Sequence, residues 1–137
     1  MNISKTHFKW DRIMNEKKIL VVDDEDIIRD LFELAFSKKG YTVRCAENAE
    51  EALEILKDEK ILVMFLDLNM PGMNGVELCR KIRKDFPVAI IHAVTGYSSL
   101  FEHAECREAG FDGYLNKPVH LEQLFKAAQD AFNKLEM

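Results

Sequence analysis

Three aspartates, a threonine and a lysine recur at like positions along this chain, and together they could handle a phosphoryl group. The apolar run Ile19-Leu20-Val21-Val22 stops at Asp23 and Asp24, and a second, Ile61 to Leu66, stops at Asp67. A third, Val88 to Val94, stops at Thr95-Gly96, and the short segment Gly113 to Asn116 runs into Lys117-Pro118. If these runs are parallel strands, their carboxyl ends open onto one crevice, which is where open α/β sheets bind ligands. Carboxylates converging there repel one another unless a cation sits among them, and hard oxygen donors with room for water and phosphate suit Mg²⁺. A carboxylate can serve as nucleophile and give an aspartyl phosphate. A lysine and a hydroxyl facing it supply the positioning and charge neutralisation on which phosphoryl transfer depends. Taken singly, each element has a blander reading: Asp-Asp as a loop start or helix cap, Asp67 as a solvated edge carboxylate, Thr-Gly as loop chemistry, Lys-Pro as a turn. Their recurrence at equivalent strand ends is what points to a site.

The elements that must position these residues alternate in type. Between the apolar runs lie amphipathic stretches with helical spacing. Asp26 to Lys39 carries Ile27, Leu31, Leu34 and Ala35 on one stripe and is followed by Gly40, a fitting residue for a helix end. Thr42 to Ala46 is a short strand candidate. Asn48 can cap a helix bearing Ala49, Ala52, Leu53 and Leu56, and Asn74 one that runs through Phe86 with Val76, Leu78, Cys79 and Ile82 inward. A further helix spans about Ser98 to Ala109, ending at Gly110. The last carries Leu121, Leu124, Phe125, Ala128, Phe132 and Leu135. The reading is α/β, a (βα)5 chain. Strands that are continuously apolar rather than alternating have both sheet faces covered, so the sheet is parallel and flanked by helices, a doubly wound three-layer sandwich. Residues 1–17 fall outside the pattern and are expected to form a flexible N-terminal appendage to a domain at 18–137.

Composition narrows the function classes. With 47% apolar residues the chain can bury a core without staples, and 137 residues fit one domain. The balance of 19 basic against 24 acidic residues, net charge −5, lacks the basic surplus of a direct nucleic-acid binder. Cys45, Cys79 and Cys106 are odd in number and widely spaced, which argues for buried free thiols in a reducing, cytoplasmic compartment rather than disulfides or a zinc site. Neither a membrane span nor a signal-peptide core is legible, since Trp10, Ile13 and Met14 are broken by Asp11 and Arg12. His7, His92, His103 and His120 are scattered, and His92, inside an apolar run, reads as a hydrogen-bonded core histidine. Glu47, Glu50, Glu51 and Glu54 read as a solvated helix face.

Four blocks in order, Ile19-Leu20-Val21-Val22-Asp23-Asp24-Glu25, Leu66-Asp67-Leu68-Asn69-Met70-Pro71-Gly72-Met73-Asn74-Gly75, Val94-Thr95-Gly96 and Tyr114-Leu115-Asn116-Lys117-Pro118, resemble those of bacterial two-component response-regulator receiver domains. The resemblance covers residues 18–135 and is closest in kind to single-domain, chemotaxis-regulator-like members. It implies a flavodoxin-like fold with strand order 2-1-3-4-5. It also implies a phosphoprotein that takes a phosphoryl group on Asp67 from a sensor histidine kinase or a histidine phosphotransfer protein, then signals through a downstream protein target or output domain.

Residue by residue, Asp24, Asp67 and the backbone carbonyl of Asn69 would ligate Mg²⁺, with Asp23 acting through a metal-bound water. Thr95 and the Gly96 N–H would grip the phosphoryl oxygens, and Lys117 would pair with them across a cis bond to Pro118. Thr95 and Tyr114 would form the switch, and Asn69 and Tyr97 would tune the phosphate's lifetime. Such a domain is not an enzyme in the ordinary sense, catalysing only its own phosphorylation and dephosphorylation.

Asn74 stands where many receivers have Asp, and Phe111 replaces a smaller residue. An Asp-nucleophile phosphatase of the haloacid dehalogenase type needs a second carboxylate at position 69, where this chain has Asn, which cannot act as the acid/base. A flavodoxin would need a phosphate cradle where Asp23-Asp24-Glu25 stands. A phosphorylation-independent interaction module on the same fold is disfavoured because every functional position is filled. With the last helix closing near Leu135, the chain fits a single-domain regulator or a piece of a longer protein. Crowding of Asp23, Asp24 and Asp67 is expected to raise the pKa of at least one, so that Asp24→Asn would relieve strain in metal-free protein.

Overall fold

Short strands that are apolar on both faces oblige helices to cover both sides of the sheet, and they do. The computed structural model describes residues 16–96 and 100–136, without the side chains of residues 100 and 101. The strands are β1 (Lys18–Val22), β2 (Thr42–Ala46), β3 (Val63–Asp67), β4 (Ile90–Thr95) and β5 (Gly113–Asn116). They alternate with α1 (Asp26–Lys38), α2 (Ala49–Asp58), α3 (Gly75–Asp85), α4 (Leu100–Ala109) and α5 (Leu121–Glu136). All strand pairs are parallel and the order is β2-β1-β3-β4-β5. Val22 lies beside Ala46 and Leu66, Asp67 beside Val94, and Thr95 beside Asn116, so the carboxyl ends finish level with one another.

Side-chain alternation sorts the core into two halves. Ile19, Val21, Val63, Phe65, Ile90 and Val94 face α1 and α5, meeting Phe32, Phe36, Leu124 and Ala128. Leu20, Val22, Met64, Leu66, Ile91 and Ala93 face the other way, onto α2, α3 and α4. Phe36 is fully buried and is the aromatic centre of the first half, with ring centroids 5.3 Å from Phe65 and 5.8 Å from Tyr41. This is the doubly wound three-layer sandwich that the apolar runs call for. Among the described residues no helix is long and apolar enough to cross a membrane.

Local signals hold where they were read. Asn48 Oδ1 accepts the Glu51 N–H at 2.8 Å and Asn74 Oδ1 that of Glu77 at 2.9 Å, caps worth about 1 kcal/mol each. Gly40 takes the left-handed conformation (φ 87°) that ends α1. Phe111 is buried, in keeping with a packing role.

Three details differ. On α1 three residues of the stripe, Ile27, Leu31 and Leu34, are 79%, 43% and 57% exposed; its Ala35 does face the core, together with Phe32 and Phe36 from outside the stripe. The helix carries apolar residues on two faces, and spacing alone does not say which is inward. His92 is half-buried and stacked on Phe65, yet its Nδ1 has no hydrogen-bond partner among the described residues, so it is not the satisfied histidine expected. Cys79 and Cys106 are buried free thiols, but Cys45 is only half-buried. Residues 1–15 of the expected appendage, and Tyr97, lie outside the described residues.

Candidate functional site

The level strand ends place Asp23, Asp67, Thr95 and Lys117 around one small space, and each is held by its own backbone surroundings. Asp23 is 2% exposed; its Oδ1 accepts the Glu25 N–H at 2.9 Å, and its carbonyl accepts Arg29 Nη1 at 2.7 Å, which ties the β1–α1 loop to the first turn of α1. Asp24 and Glu25 are exposed, and carboxylate oxygens of Asp23, Asp24 and Glu25 lie within 4.8 Å of one another. Asp67, 3% exposed, accepts the Asn69 N–H on Oδ1 at 3.2 Å. Behind it, Gly75 packs so closely that a Cβ would collide with the Asp67 carbonyl oxygen and come within 2.9 Å of Leu68 Cα, so this position demands glycine.

Lys117 is the cation of the group. Its Nζ lies 2.9 Å from Asp23 Oδ2, 3.7 Å from Asp67 Oδ1 and 3.9 Å from Glu25 Oε1. The Lys117–Pro118 bond is cis, and the Lys117 N–H donates to the Thr95 carbonyl at 2.7 Å, fixing the end of β5 against that of β4. Thr95 is fully buried; its hydroxyl meets Asn69 Nδ2 and Glu102 Oε1, both at 3.5 Å. Tyr114 belongs to the same group of side chains, its pKa pushed up to about 12 by burial above all, then by the Glu102 charge. Gly96 is exposed at the rim.

One half-buried cation among several carboxylates leaves a charge imbalance, which adds to the effect of burial on Asp67. Burial above all, then the charge of Asp23, pushes its pKa up to about 7, against the partial relief given by Lys117 and the Asn69 N–H. A hydrogen bond with Asp24 adds the least, and Asp67 is thus one of the three carboxylates on which the expected crowding falls. Burial works to lower the Lys117 pKa, but its hydrogen bond to Asp23 and the attraction of Asp67 outweigh it and leave the pKa raised. For Asp67 the folded pKa exceeds the unfolded one, so the folded state binds more protons between them, and stability falls as pH rises through that window. In EDTA at about pH 8, Asp67→Asn is therefore expected to melt roughly 5 °C above wild type, with the gap closing towards about pH 4. Melting curves across pH check this; an asparagine variant no more stable than wild type at the upper end contradicts the imbalance.

The donor set fits a hard divalent cation. Asp23, Asp24 and Glu25 offer clustered carboxylate oxygens, and the buried Asp67 carboxylate shares the Lys117 ammonium with Asp23. Arg29 and Glu102 carry no signal in the sequence: each sits in an ordinary helix, and only the folded geometry brings it to the site, while Glu25 and Gly75 fall inside the four receiver-like blocks without a role of their own.

Comparison with known proteins agrees with this geometry. The family model described as the response regulator receiver domain matches residues 19–129. A CheY-like response regulator receiver domain protein from Methanospirillum hungatei JF-1 is 33% identical, with a TM-score of 0.84 over 88% of this chain and 96% of that one. The Vibrio cholerae chemotaxis protein CheY4 is 31% identical, with a TM-score of 0.81 over 84% of this chain and 98% of that one. A receiver domain protein from Clostridium thermocellum is 32% identical, with a TM-score of 0.81 over 88% and 99%.

Proposed function

This chain belongs to the response regulator receiver family, whose members are phosphoacceptor signalling domains, and from that premise we propose that it is an Mg²⁺-dependent phospho-switch with Asp67 as the acceptor. The observation that carries the reading is the buried Asp67 carboxylate with the Lys117 ammonium 3.7 Å from its Oδ1. A nucleophile and the cation that would receive the new negative charge are already side by side. In the transfer, an Asp67 oxygen forms a bond to phosphorus as the bond from phosphorus to the donor breaks, whether that donor is a histidine nitrogen or an acyl phosphate oxygen. Lys117 then pairs with the phosphoryl oxygens, and the Thr95 hydroxyl and the Gly96 N–H donate to them. The same residues serve hydrolysis, so the domain catalyses its own loading and unloading and acts on no other substrate.

Asp24, Asp67 and the Asn69 carbonyl would hold Mg²⁺, with Asp23 reaching it through a water. The ion would supply charge neutralisation for the incoming phosphate. Ion binding should then be visible as stability. Millimolar Mg²⁺ is expected to raise the wild-type melting temperature by mass action, and that of Asp24→Asn much less. Equal shifts in both proteins would remove Asp24 from the ligand set.

Partner choice follows from the rim. The exposed Ile27, Leu31 and Leu34 run along α1 directly after the acidic Asp23–Glu25 loop, an apolar patch beside the site that suits a docking histidine kinase or phosphotransfer protein. The response would travel from Thr95 to Tyr114 and so to β5 and α5, the surface read by a downstream target or output domain. Free Cys45, Cys79 and Cys106 suit a reducing cytoplasm. Residues 1–17 remain, on this reading, an appendage to the receiver at 18–137, and Tyr97 a shield over the phosphoryl group.

A further inference from the structure

At Thr95, α4 brings up a carboxylate that the phosphorylation chemistry does not use. Glu102 Oε1 lies 3.5 Å from Thr95 Oγ1, and Asn69 Nδ2, on the loop after the phosphoacceptor, reaches the same hydroxyl oxygen at 3.5 Å. Thr95 is wholly buried, so its hydroxyl must find a partner other than bulk water in either state. A hydroxyl has a single proton to donate. Given to the Glu102 carboxylate, that proton is withheld from a phosphoryl oxygen on Asp67. Once Asp67 carries a phosphoryl group, two anionic acceptors would compete for one donor, which is what a two-state element requires.

We propose that Glu102 is a lock on the switch, its carboxylate competing with the Asp67 phosphoryl group for the Thr95 hydroxyl and so holding the unphosphorylated arrangement. The neighbourhood is built for it. Burial, then the Glu102 charge, pushes the Tyr114 pKa up to about 12, so the two side chains feel each other. One turn position on, the His103 ring lies against that of Tyr114, with centroids 3.9 Å apart at 35°, so the helix that carries Glu102 also grips the aromatic ring it would release. Glu102 is a positioning residue here. It acts through Thr95 and touches no reacting atom.

The lock rests on the phospho-switch reading, and two readouts keep them apart. Glu102→Ala and Glu102→Gln are compared with wild type and with Glu108→Ala, an exposed position on the same helix. With acetyl phosphate and Mg²⁺, the initial rate of phosphoryl incorporation should rise about five-fold in Glu102→Ala, the scale of one lost hydrogen bond, and less in Glu102→Gln, which keeps a neutral acceptor. Without any phosphodonor, the Thr95 amide resonance should move in Glu102→Ala and stay fixed in Glu108→Ala. A wild type that takes up phosphate while Glu102→Ala is no faster overturns the lock and leaves the switch standing. An unmoved Thr95 resonance in the unphosphorylated Glu102→Ala protein overturns the lock whether or not the wild type is phosphorylated.

Discussion

Lys117→Met is expected to destabilise the metal-free protein by roughly 3 kcal/mol, the scale of a buried ion pair broken from one side. The Asp23 side chain is 3% exposed and that of Asp67 4%, and the Lys117 ammonium lies 2.9 Å from the first and 3.7 Å from the second. Methionine keeps the length and the apolar stem but strands two buried carboxylates with no facing cation. Asp67, its pKa already pushed up to about 7, would answer by holding its proton, which recovers part of the loss. Asp23 would bear the rest. Asp23→Asn in the Lys117→Met background should then restore roughly half of the stability, a coupling that two unrelated sites would not show. Mg²⁺, drawn to a more negative cluster, should stabilise Lys117→Met more than wild type. Urea denaturation of the single and double variants in EDTA measures all three effects. A Lys117→Met variant within about 0.5 kcal/mol of wild type would mean that the ammonium offsets no buried charge.

Much of this protein was legible in its sequence because backbone rules and the site coincide. Ile19 to Val22 had to be a strand covered on both faces, and a strand that ends in Asp23 had to present that carboxylate at the sheet's carboxyl edge. Asp67, Thr95 and Lys117 follow by the same rule, and their level register is a consequence of parallel pairing. The caps at Asn48 and Asn74 are local and were equally readable. What escaped is what depends on three-dimensional packing. Ile27, Leu31, Leu34 and Ala35 share one helical stripe, but Phe32 and Phe36 lie on a neighbouring face, and it is the Phe36 ring that packs against Phe65. Arg29 looks like any basic residue on a helix until its guanidinium is found on the Asp23 carbonyl. That Lys117 sits closer to Asp23 than to Asp67, and that Glu102 reaches Thr95 from α4, are distances between elements far apart in sequence. No periodicity encodes them.

The largest effect expected of any variant is all-or-none. Asp67 is the buried carboxylate at the end of the central strand β3, with an N–H on its Oδ1 from Asn69 and an ammonium in reach. Asp23 is already committed to Lys117 and to the Glu25 N–H, and Asp24 is exposed. Asparagine at position 67 has nearly the same shape but no anionic oxygen to attack phosphorus, so it should abolish acceptance without unfolding the chain. Intact-protein mass after incubation with acetyl phosphate and Mg²⁺ decides the matter. The account predicts a single added phosphoryl group on wild type, none in EDTA and none on Asp67→Asn; an unchanged wild-type mass, or a phosphoryl group still acquired by Asp67→Asn, would contradict it.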